Sequence, residues 1–435
     1  MPETELFAGR CVLTNCNVWS PDSEWIAFDT RSDPAGSTFD GTQIRMVNAA
    51  TREVRTVYES QNGACCGAVT FHPVEPMVAF IHGPEFPTPE FGYGPSKRHG
   101  VTCLVIPPRN AVGFGSHPSC RWRPTTLDAR NLAPPFTAGA LRGGSHVHTW
   151  NPGGDRVSFT YEDDITAPGL RTVGVTVPAM YTTSEHMLTV PKTHPRNHDG
   201  GFSVLVVNVV PNPKPGSDEI RRAVEEGWVG KRGYRKPNKK RQQYALAFQG
   251  FVLPERGGEP IPEVFIADLP QDLTRHGDGP LQGTLAELPA PPRGVTQRRL
   301  TFTANDPYPG VFGPRHWLRS SPDGSRIAFL KRDRRGVVQL FTVSPNGGES
   351  EQVTDNEHPV ASPLTWHPDG RRIAFAMDHS VCLADATTGV VTRLTTRTDD
   401  SPRPEACVMS PDGRRVAFVR HRAGANRICV VEVAG

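Results

Sequence analysis

The sequence repeats a short pattern in which an apolar strand leads into a turn centred on proline and a second apolar strand follows. The turns at Pro322, Pro368 and Pro411 all read Pro-Asp-Gly. Proline fixes φ for the turn, Asp offers a side-chain hydrogen bond, and Gly takes the positive φ that reverses the chain. The residues after each turn are mostly β-branched or aromatic, as at 327–329, which is typical of a strand. The repeat therefore predicts an all-β fold built from similar units.

Seven copies of the pattern span most of the chain, and the fourth copy is the weakest match. The last three turn prolines lie 46 and 43 residues apart, which is the length of a four-stranded propeller blade. We therefore expect a seven-bladed β-propeller, formed as a single domain by residues 1–435. Residues 5–13 are expected to pair beside residues 428–433 and to complete the last blade, so that the ring has no open edge. Two stacked β-sandwiches are the alternative, but they do not explain the regular spacing. The seven prolines are Pro21, Pro73, Pro152, Pro211, Pro322, Pro368 and Pro411.

The longest interval between turn prolines holds the one segment with a helix signal. Residues 217–226 begin with a serine cap and an acidic first turn, and Gly227 follows them. We predict a short helix here, inside an insertion in blade four at about residues 212–242. Residues 231–241 follow with seven Lys or Arg in eleven positions. A solvated loop is the favoured interpretation of this basic segment, and an anion-binding patch is the alternative.

Charge and cysteine content exclude several classes of protein. The formal net charge of +3 is too small to indicate nucleic acid as a partner. No stretch approaches 18 uninterrupted apolar residues, so we expect no membrane span. The N-terminus does not resemble a signal peptide, and nine cysteines, with a vicinal pair at Cys65 and Cys66, favour free thiols over a disulfide framework. We expect a cytoplasmic protein.

The first strand of each propeller blade lines the central channel, and the position six residues before each turn proline marks one mouth of that channel. Polar side chains are frequent at this depth, and buried polar groups are costly unless they are paired or bind a ligand. Asn15, Asn17 and Glu405 are the candidate substrate contacts. The ring at the mouth comprises Asn15, Gly67, His146, His316, Ser362 and Glu405, and Asn17 lies two positions further in.

Histidines form the sharpest local feature. His146 and His148 are two residues apart in a predicted strand and are therefore expected to share one face. With His316 across the channel and His198 nearby, they form a candidate site for a divalent metal such as Mn, Zn or Ca. The alternative is that these histidines simply hydrogen-bond neighbouring strands.

Two arginines lie beside these histidines in the sequence. Arg142 and Arg315 can each bind a carboxylate or phosphate through two hydrogen bonds, although salt bridges within the fold are an equal alternative. We take His146, His316, Arg315 and Arg142 as the candidate catalytic residues.

The pattern Trp-Ser-Pro-Asp-x-x-x-Ile-Ala-Phe at residues 19–28 resembles the TolB-type, WD40-like propeller repeat. Further strings, at residues 17–23, 80–85, 141–148, 215–220 and 225–230, are similar to those of an uncharacterised family of bacterial cytoplasmic propellers labelled Tol biopolymer transporter-like. A more distant resemblance connects the chain with the oligogalacturonate lyases. This resemblance implies a cytoplasmic propeller that holds manganese with histidines and a glutamine and uses another histidine as base.

The leading functional hypothesis is a carbohydrate-active, metal-assisted β-eliminating lyase that acts on a short uronate-containing saccharide. Elimination requires that the uronate carboxylate be neutralised, by a metal or by Arg315 and Arg142, and that an imidazole remove the C5 proton. Two alternatives stay open: a non-catalytic scaffold that binds a protein or polymer, and another metal-dependent enzyme using the same channel. In the enzymatic cases the expected ligand is an anionic oligosaccharide or small molecule.

Overall fold

The computed structural model of the chain describes residues 2–14, 17–105, 124–166, 169–179 and 188–434. These residues form antiparallel β-sheets and contain no α-helix. Within them no helix is long and apolar enough to cross a membrane. The all-β prediction is confirmed.

The strands fall into consecutive groups along the chain, and neighbours within each group pair antiparallel. Strand β1 is Glu3–Gly9. Group one contains β2 (Trp25–Asp29), β3 (Gln43–Asn48) and β4 (Val54–Glu59). Group two contains β5 (Cys66–Phe71), β6 (Met77–His82), β7 (His99–Leu104) and β8 (Thr125–Thr126). Group three contains β9 (Gly143–Trp150), β10 (Val157–Asp163), β11 (Arg171–Val177) and β12 (Phe202–Leu205).

The second half of the chain continues in the same way. Group four contains β13 (Ile220–Trp228), β16 (Tyr244–Val252), β17 (Ile261–Leu269) and β18 (Thr296–Arg299), with a separate hairpin of β14 (Tyr234–Arg235) and β15 (Arg241–Gln242). Group five contains β19 (Arg319–Ser320), β20 (Ile327–Arg332), β21 (Val338–Val343) and β22 (Glu351–Gln352). Group six contains β23 (Thr365–Trp366), β24 (Arg372–Met377), β25 (Ser380–Asp385) and β26 (Val391–Arg393). Group seven contains β27 (Pro402–Met409), β28 (Arg415–Arg422) and β29 (Ala425–Glu432), and β1 pairs with β29.

Hydrogen bonds between the first segments of successive groups connect them around a common axis. Groups one and two are joined by Phe71 N to Asn17 O (2.6 Å), and groups four and five by Leu318 N to Glu225 O (3.1 Å). The bond that connects the last group to the first runs from Trp19 Nε1 to Val408 O (3.0 Å). Comparable side-chain bonds link the other neighbours: Thr70 to His148 O, Trp228 to Thr149 O, Trp366 to Arg319 O and Thr365 to Cys407 O. In the described part of the chain the groups therefore form a closed ring.

The two ends of the chain complete the same sheet. Glu3 lies opposite Val431 and Gly9 lies opposite Asn426, so β1 is the outer neighbour of β29. Leu6 is buried in the apolar cluster between groups seven and one. The predicted pairing of the N-terminal segment beside the C-terminal strand is confirmed, with the pairing strand at Glu3–Gly9 rather than at 5–13.

The predicted helix at residues 217–226 is wrong, because most of this segment belongs to β13. Ser217 instead forms a turn, in which its hydroxyl donates to Lys214 O (2.6 Å). The pairing of β13 with β16 shifts register twice, between Ile220 and Ala223 and between Val224 and Gly227. Extra residues at these shifts disrupt the two-residue alternation of a strand and produce apolar spacing like that of a helix.

Candidate functional site

Bulges shape the inner strands of three consecutive groups. Ala68 in β5, Val147 in β9 and Glu225 in β13 have φ values of 53°, 55° and 56°. At each of these positions two residues of the inner strand lie opposite one residue of its neighbour. A bulge changes the direction of the side chains around it, and the left-handed backbone is unfavourable for residues other than glycine. These bulges therefore determine which side chains of β5, β9 and β13 reach the channel.

An apolar plug crosses the channel at the level of the bulges. Ala68, Ile81, Val147 and Trp317 form one buried cluster, although they come from groups two, three and five. The half-buried rings of Phe39 and Tyr93 pack against it and stack on each other with their centroids 4.5 Å apart. Groups two and five are not neighbours in the ring, so their contact in this cluster places the plug within the channel.

Four arginines and His146 form what we call the arginine mouth, on the side where the inner strands begin. His146 is partly buried, and its Nδ1 has no hydrogen-bond partner. Burial lowers the pKa of His146 well below its usual range, and the charges of Arg98, Arg315 and Arg171 lower it further. His146 is therefore a neutral imidazole at pH 7. Arg222 lies directly opposite Arg171, where β13 meets β11.

The arginine mouth carries an excess of positive charge. Its carboxylates are Glu162, which pairs with Arg171 (3.3 Å), and Glu225, which pairs with Arg315 (2.8 Å). The buried Arg98 donates to the hydroxyl of Tyr93 (3.0 Å) and faces no carboxylate within ion-pairing distance. Four cations thus stand against two anions, an arrangement that suits a carboxylate or phosphate ligand.

A buried carboxylic acid lies behind His146. Thr160 is opposite His146 in the β9–β10 ladder, and its hydroxyl donates to Oε2 of Glu226 (3.0 Å). Burial raises the pKa of Glu226 to about 8, so that the group is largely protonated at pH 7. Its Oε1 has no hydrogen-bond partner. A neutral acid and a neutral imidazole on neighbouring strands are typical of a catalytic environment.

His146 and His148 do not share a face, contrary to the prediction, because the bulge at Val147 lies between them. His148 is fully buried, its Nε2 is 2.9 Å from Ser145 Oγ, and it packs against Gly100 of group two. His198 is next to His99 instead, with ring centroids 5.3 Å apart. The structure therefore places His148 and His198 beside His99, between groups two and three, where the charge of Arg98 still acts on His148.

His316 has a structural role in the described geometry. Its Nδ1 is 2.7 Å from Pro314 O, and its Nε2 accepts the backbone N–H of Leu330 (3.1 Å). Both ring nitrogens are thus engaged, and burial lowers the pKa of His316 to about 4. The expected roles of His316 as metal ligand or base are not compatible with these bonds.

The other residues predicted to form the site lie in different parts of the structure. Arg142 is fully buried and pairs with Asp163 (3.1 Å), so it is a structural arginine rather than a catalytic one. Arg315 belongs to the arginine mouth, as expected. Asn17 lines a cavity at the opposite mouth, and Glu405 pairs with Arg403 (2.9 Å). Asn15 lies outside the described residues.

The predicted metal set does not assemble. His148 and His198 lie near His99, whereas His146 lies at the arginine mouth and both ring nitrogens of His316 are engaged elsewhere. Across the residues that the structure describes, no three His, Cys, Asp or Glu side chains are arranged to hold a metal ion. The described residues therefore do not fit a divalent metal, and we derive no chemistry through one.

Sequence reasoning missed Arg98, Arg171, Arg222 and Glu226. Counting back from the turn prolines samples only one position of each inner strand, and the fourth repeat was the weakest match, so Arg222 and Glu226 on β13 were not sampled. Arg171 lies on β11 and Arg98 directly precedes β7, so neither belongs to an inner strand. The string Glu225-Glu226-Gly227 was the available signal, since two adjacent carboxylates before a glycine are unusual in a strand next to a channel.

The comparisons with known proteins show the family and the general fold. The chain is 44% identical to the uncharacterized protein YidR of Escherichia coli over 418 residues, which cover 94% of this chain and 92% of YidR. The chain belongs to the YidR family. A model for a protein family of unknown function, DUF3748, matches residues 65–198, which contain His146 and Arg98.

Solved structures establish the general fold. An oligogalacturonate lyase in complex with manganese covers 99% of this chain and 93% of its own, with 10% identity and a TM-score of 0.54. The oligogalacturonate lyase of Vibrio parahaemolyticus covers the same shares, with 11% identity and a TM-score of 0.52. At these identities the likeness shows the fold alone, which is a β-propeller. The predicted membership of a bacterial propeller family distantly similar to oligogalacturonate lyases is confirmed.

Proposed function

We propose that the chain is a β-eliminating lyase that acts on short uronate-containing saccharides at the arginine mouth, with His146 as the base. The observation that supports this most directly is a neutral imidazole with a partnerless Nδ1, surrounded by arginines. The fold shared with oligogalacturonate lyases supports the same class of substrate by analogy. We further propose that the strand groups are the seven blades of the propeller.

The chemistry follows from the charges at the arginine mouth. Arg171 and Arg315 neutralise the carboxylate on C5, which makes the C5 proton more acidic. The imidazole of His146 takes this proton, the C4–O bond breaks, and a C4=C5 double bond forms. The departing oxygen takes a proton from Tyr93, whose hydroxyl oxygen accepts from Arg98 and whose own hydrogen remains available. Proton exchange with water then restores His146 and Tyr93, so no oxidant or other co-reactant is needed.

Turnover should persist on the acid side of the usual histidine range. A base with a depressed pKa stays unprotonated to lower pH, so the acid limb of kcat/KM is expected below pH 6.5. The arginines remain charged across this pH range, so they do not change the acid limb of the kcat/KM profile.

The direct test is incubation of the full chain with di- and trigalacturonate while the absorbance of the unsaturated product is followed. We expect His146→Ala to reduce kcat by about 100-fold or more, since a positioned base contributes about 10²–10⁴. Arg171→Gln and Arg315→Gln should lower kcat as well as raise KM, because the arginines both bind the carboxylate and make the C5 proton more acidic. The control is His276→Ala, an exposed histidine on the segment after β17, which should retain full activity. Absence of turnover across a panel of uronate oligosaccharides, with the wild-type fold intact, would favour a non-catalytic scaffold.

We also propose that the protein works in a reducing compartment such as the cytoplasm. The seven described cysteines are all free thiols, and six of them are buried. Burial raises the pKa of several, for example of Cys103 and Cys382 to about 11, which keeps them in the unreactive thiol form.

A further inference from the structure

The opposite mouth of the channel opens into a cavity of about 960 Å³, which the proposed lyase chemistry does not use. Turn residues from every group line it, so the cavity lies on the ring axis. Its lining includes Pro21, Pro73, Pro152, Gly230, Pro322, Pro368 and Pro411. None of the plug residues Ala68, Ile81, Val147 and Trp317 belongs to this lining.

Aromatic side chains in fixed orientations form part of its wall. Trp19, Trp228 and Trp366 line the cavity, and each indole N–H donates to a backbone carbonyl of a neighbouring group at 2.9–3.0 Å. Tyr244 is held beneath the guanidinium of Arg156, which is 3.6 Å from its ring centroid. A pocket with fixed aromatic walls and a few charged groups is typical of a small-molecule site.

Positive charge predominates around the cavity. Its ionised lining side chains are Lys231, Arg232, Arg241, Arg319 and Asp155. Asp155 already accepts hydrogen bonds from Asn151 (2.7 Å) and Tyr244 (3.0 Å). Within the described residues, none of the four cations forms an ion pair with a carboxylate. A cavity with four cations and one carboxylate, which is already hydrogen-bonded, strongly favours an anionic ligand.

The basic segment 231–241 is held in place as the β14–β15 hairpin. Lys231 N donates to Pro322 O (2.8 Å) and fixes the base of the hairpin to the turn of group five. Tyr234 is buried and donates to Asp268 (2.8 Å), which also pairs with Lys236 (3.0 Å). A Cβ on Gly230 would lie 2.8 Å from Gly324 Cα, so the two backbones are in close contact. These contacts fix the backbone that carries Lys231, Arg232 and Arg241 at the edge of the cavity, which reduces the entropy lost on binding.

We propose that this cavity is a second ligand site, which binds a small polyanion with at least two phosphate or carboxylate groups. Lys231, Arg232 and Arg241 contact the anionic groups, and Trp228 and Trp366 contact the rest of the molecule. The recessed cavity favours a small molecule over a macromolecule, because its bound surface lies inside the ring. The site is independent of the arginine mouth.

The test is calorimetric titration of the full chain with two probes, pyrophosphate and citrate, which distinguish phosphate from carboxylate chemistry. The cavity variant combines Lys231→Gln, Arg232→Gln and Arg241→Gln. Its matched control combines Arg235→Gln, Lys239→Gln and Lys240→Gln, which removes the same charge from the same hairpin at residues that do not line the cavity. We expect the cavity variant to weaken binding about 30-fold or more and the control about threefold or less.

Equal weakening by both variants would show general electrostatic attraction to the hairpin and would overturn the proposal. So would the absence of binding by either probe to the wild-type chain. Tighter binding of a 20-nucleotide single strand, weakened by both variants, would identify the hairpin as a macromolecular surface instead. If the cavity variant melts at a lower temperature than the control, Arg241→Gln alone replaces it. His146→Ala should leave pyrophosphate binding unchanged, so failure at the arginine mouth and failure here can be told apart.

Discussion

At the scale of single residues, His316 and Ser362 occupy the same position in neighbouring repeats and perform the same task. His316 Nε2 accepts the backbone N–H of Leu330, and Ser362 Oγ accepts that of Ala376 (2.7 Å). The inner strands of groups five and six are short and do not supply a backbone acceptor for these two N–H groups. The side chains of His316 and Ser362 accept these hydrogen bonds instead. A buried backbone donor left without a partner would cost about 1–3 kcal/mol.

The buried histidines should make the protein sensitive to acid. Burial lowers the pKa of His316 and of His148 to about 4, from an ordinary value of 6.5. Between these values the unfolded chain binds protons that the folded chain does not, so stability falls as pH decreases from 6.5 to about 4. Each residue contributes at most about 3 kcal/mol to this loss. Urea unfolding at several pH values measures it.

The matched variant is His316→Gln, whose amide can make both bonds without titrating. Its stability should decline less steeply with falling pH than that of the wild type. If the free energy of unfolding of the variant fell with pH as steeply as that of the wild type, His316 would have to be protonated in the folded protein already.

The candidate site was only partly predictable at this scale. The position of His146 at the channel mouth followed from the repeat, because its strand has the same turn as the others. The separation of His146 from His148 did not follow, since a single bulge at Val147 reverses the relation of neighbouring side chains and leaves no mark in the sequence. His146 and His148 have equivalent positions in the sequence pattern but lie in different environments in the fold.

At the scale of elements, one buried arginine attaches a long connection to group three. Arg142 pairs with Asp163, and its Nη2 donates to Glu287 O (3.0 Å) in the segment between β17 and β18. Leu273 and Leu281 of this segment pack into the core shared by groups three and four. The segment is therefore part of the folded ring, although it contains no strand between Leu269 and Thr296.

Arg142→Leu should destabilise the protein by about 3–5 kcal/mol, because it leaves the carboxylate of Asp163 buried without its partner. The double variant Arg142→Leu, Asp163→Asn should recover part of this loss. Denaturant unfolding measures both, and limited proteolysis should show cleavage within residues 270–295 in the single variant. Additive losses in the double variant would contradict a coupled pair.

Elements with a regular pattern were predictable, and those with bulges were not. The strands after the Pro-Asp-Gly turns, such as β20, β24 and β28, follow the sequence repeat closely. Strand β13 was mistaken for a helix because Ser217 and the acidic residues after it resemble the start of a helix, whereas Ser217 lies in the turn before the strand. The two register shifts of β13 also interrupt the two-residue alternation that would have indicated a strand.

At the scale of the whole molecule, the ring is closed by a strand from the start of the chain. Arg420, fully buried, pairs with Glu3 (2.9 Å), and Arg427 pairs with Glu5 (2.6 Å), so ionic contacts accompany the backbone pairing of β1 with β29. Leu6 adds apolar contacts with groups one and seven. The stability of the ring thus depends on contacts between distant parts of the chain.

Deletion of residues 2–9 should lower the melting temperature strongly and promote aggregation, because β29 becomes an exposed edge and Leu6 leaves its cluster. Removal of one such buried side chain alone costs about 2–5 kcal/mol. The control is the single variant Glu5→Gln, which keeps the strand and removes only the charge that pairs with the partly exposed Arg427. Thermal unfolding followed by light scattering measures both. A deletion that melts like the control would show that closure contributes little.

The plug across the channel limits how a polymer could be processed. For the lyase proposed above, the buried side chains of Val147 and Trp317 would obstruct the passage of a saccharide held at the arginine mouth, so the saccharide would enter and leave by the same opening. Enzymes that remain attached to one polymer through many cuts need a path along which it can slide. Successive cuts at a dead end instead require release and rebinding, so the action would be distributive and directed at chain ends or short fragments.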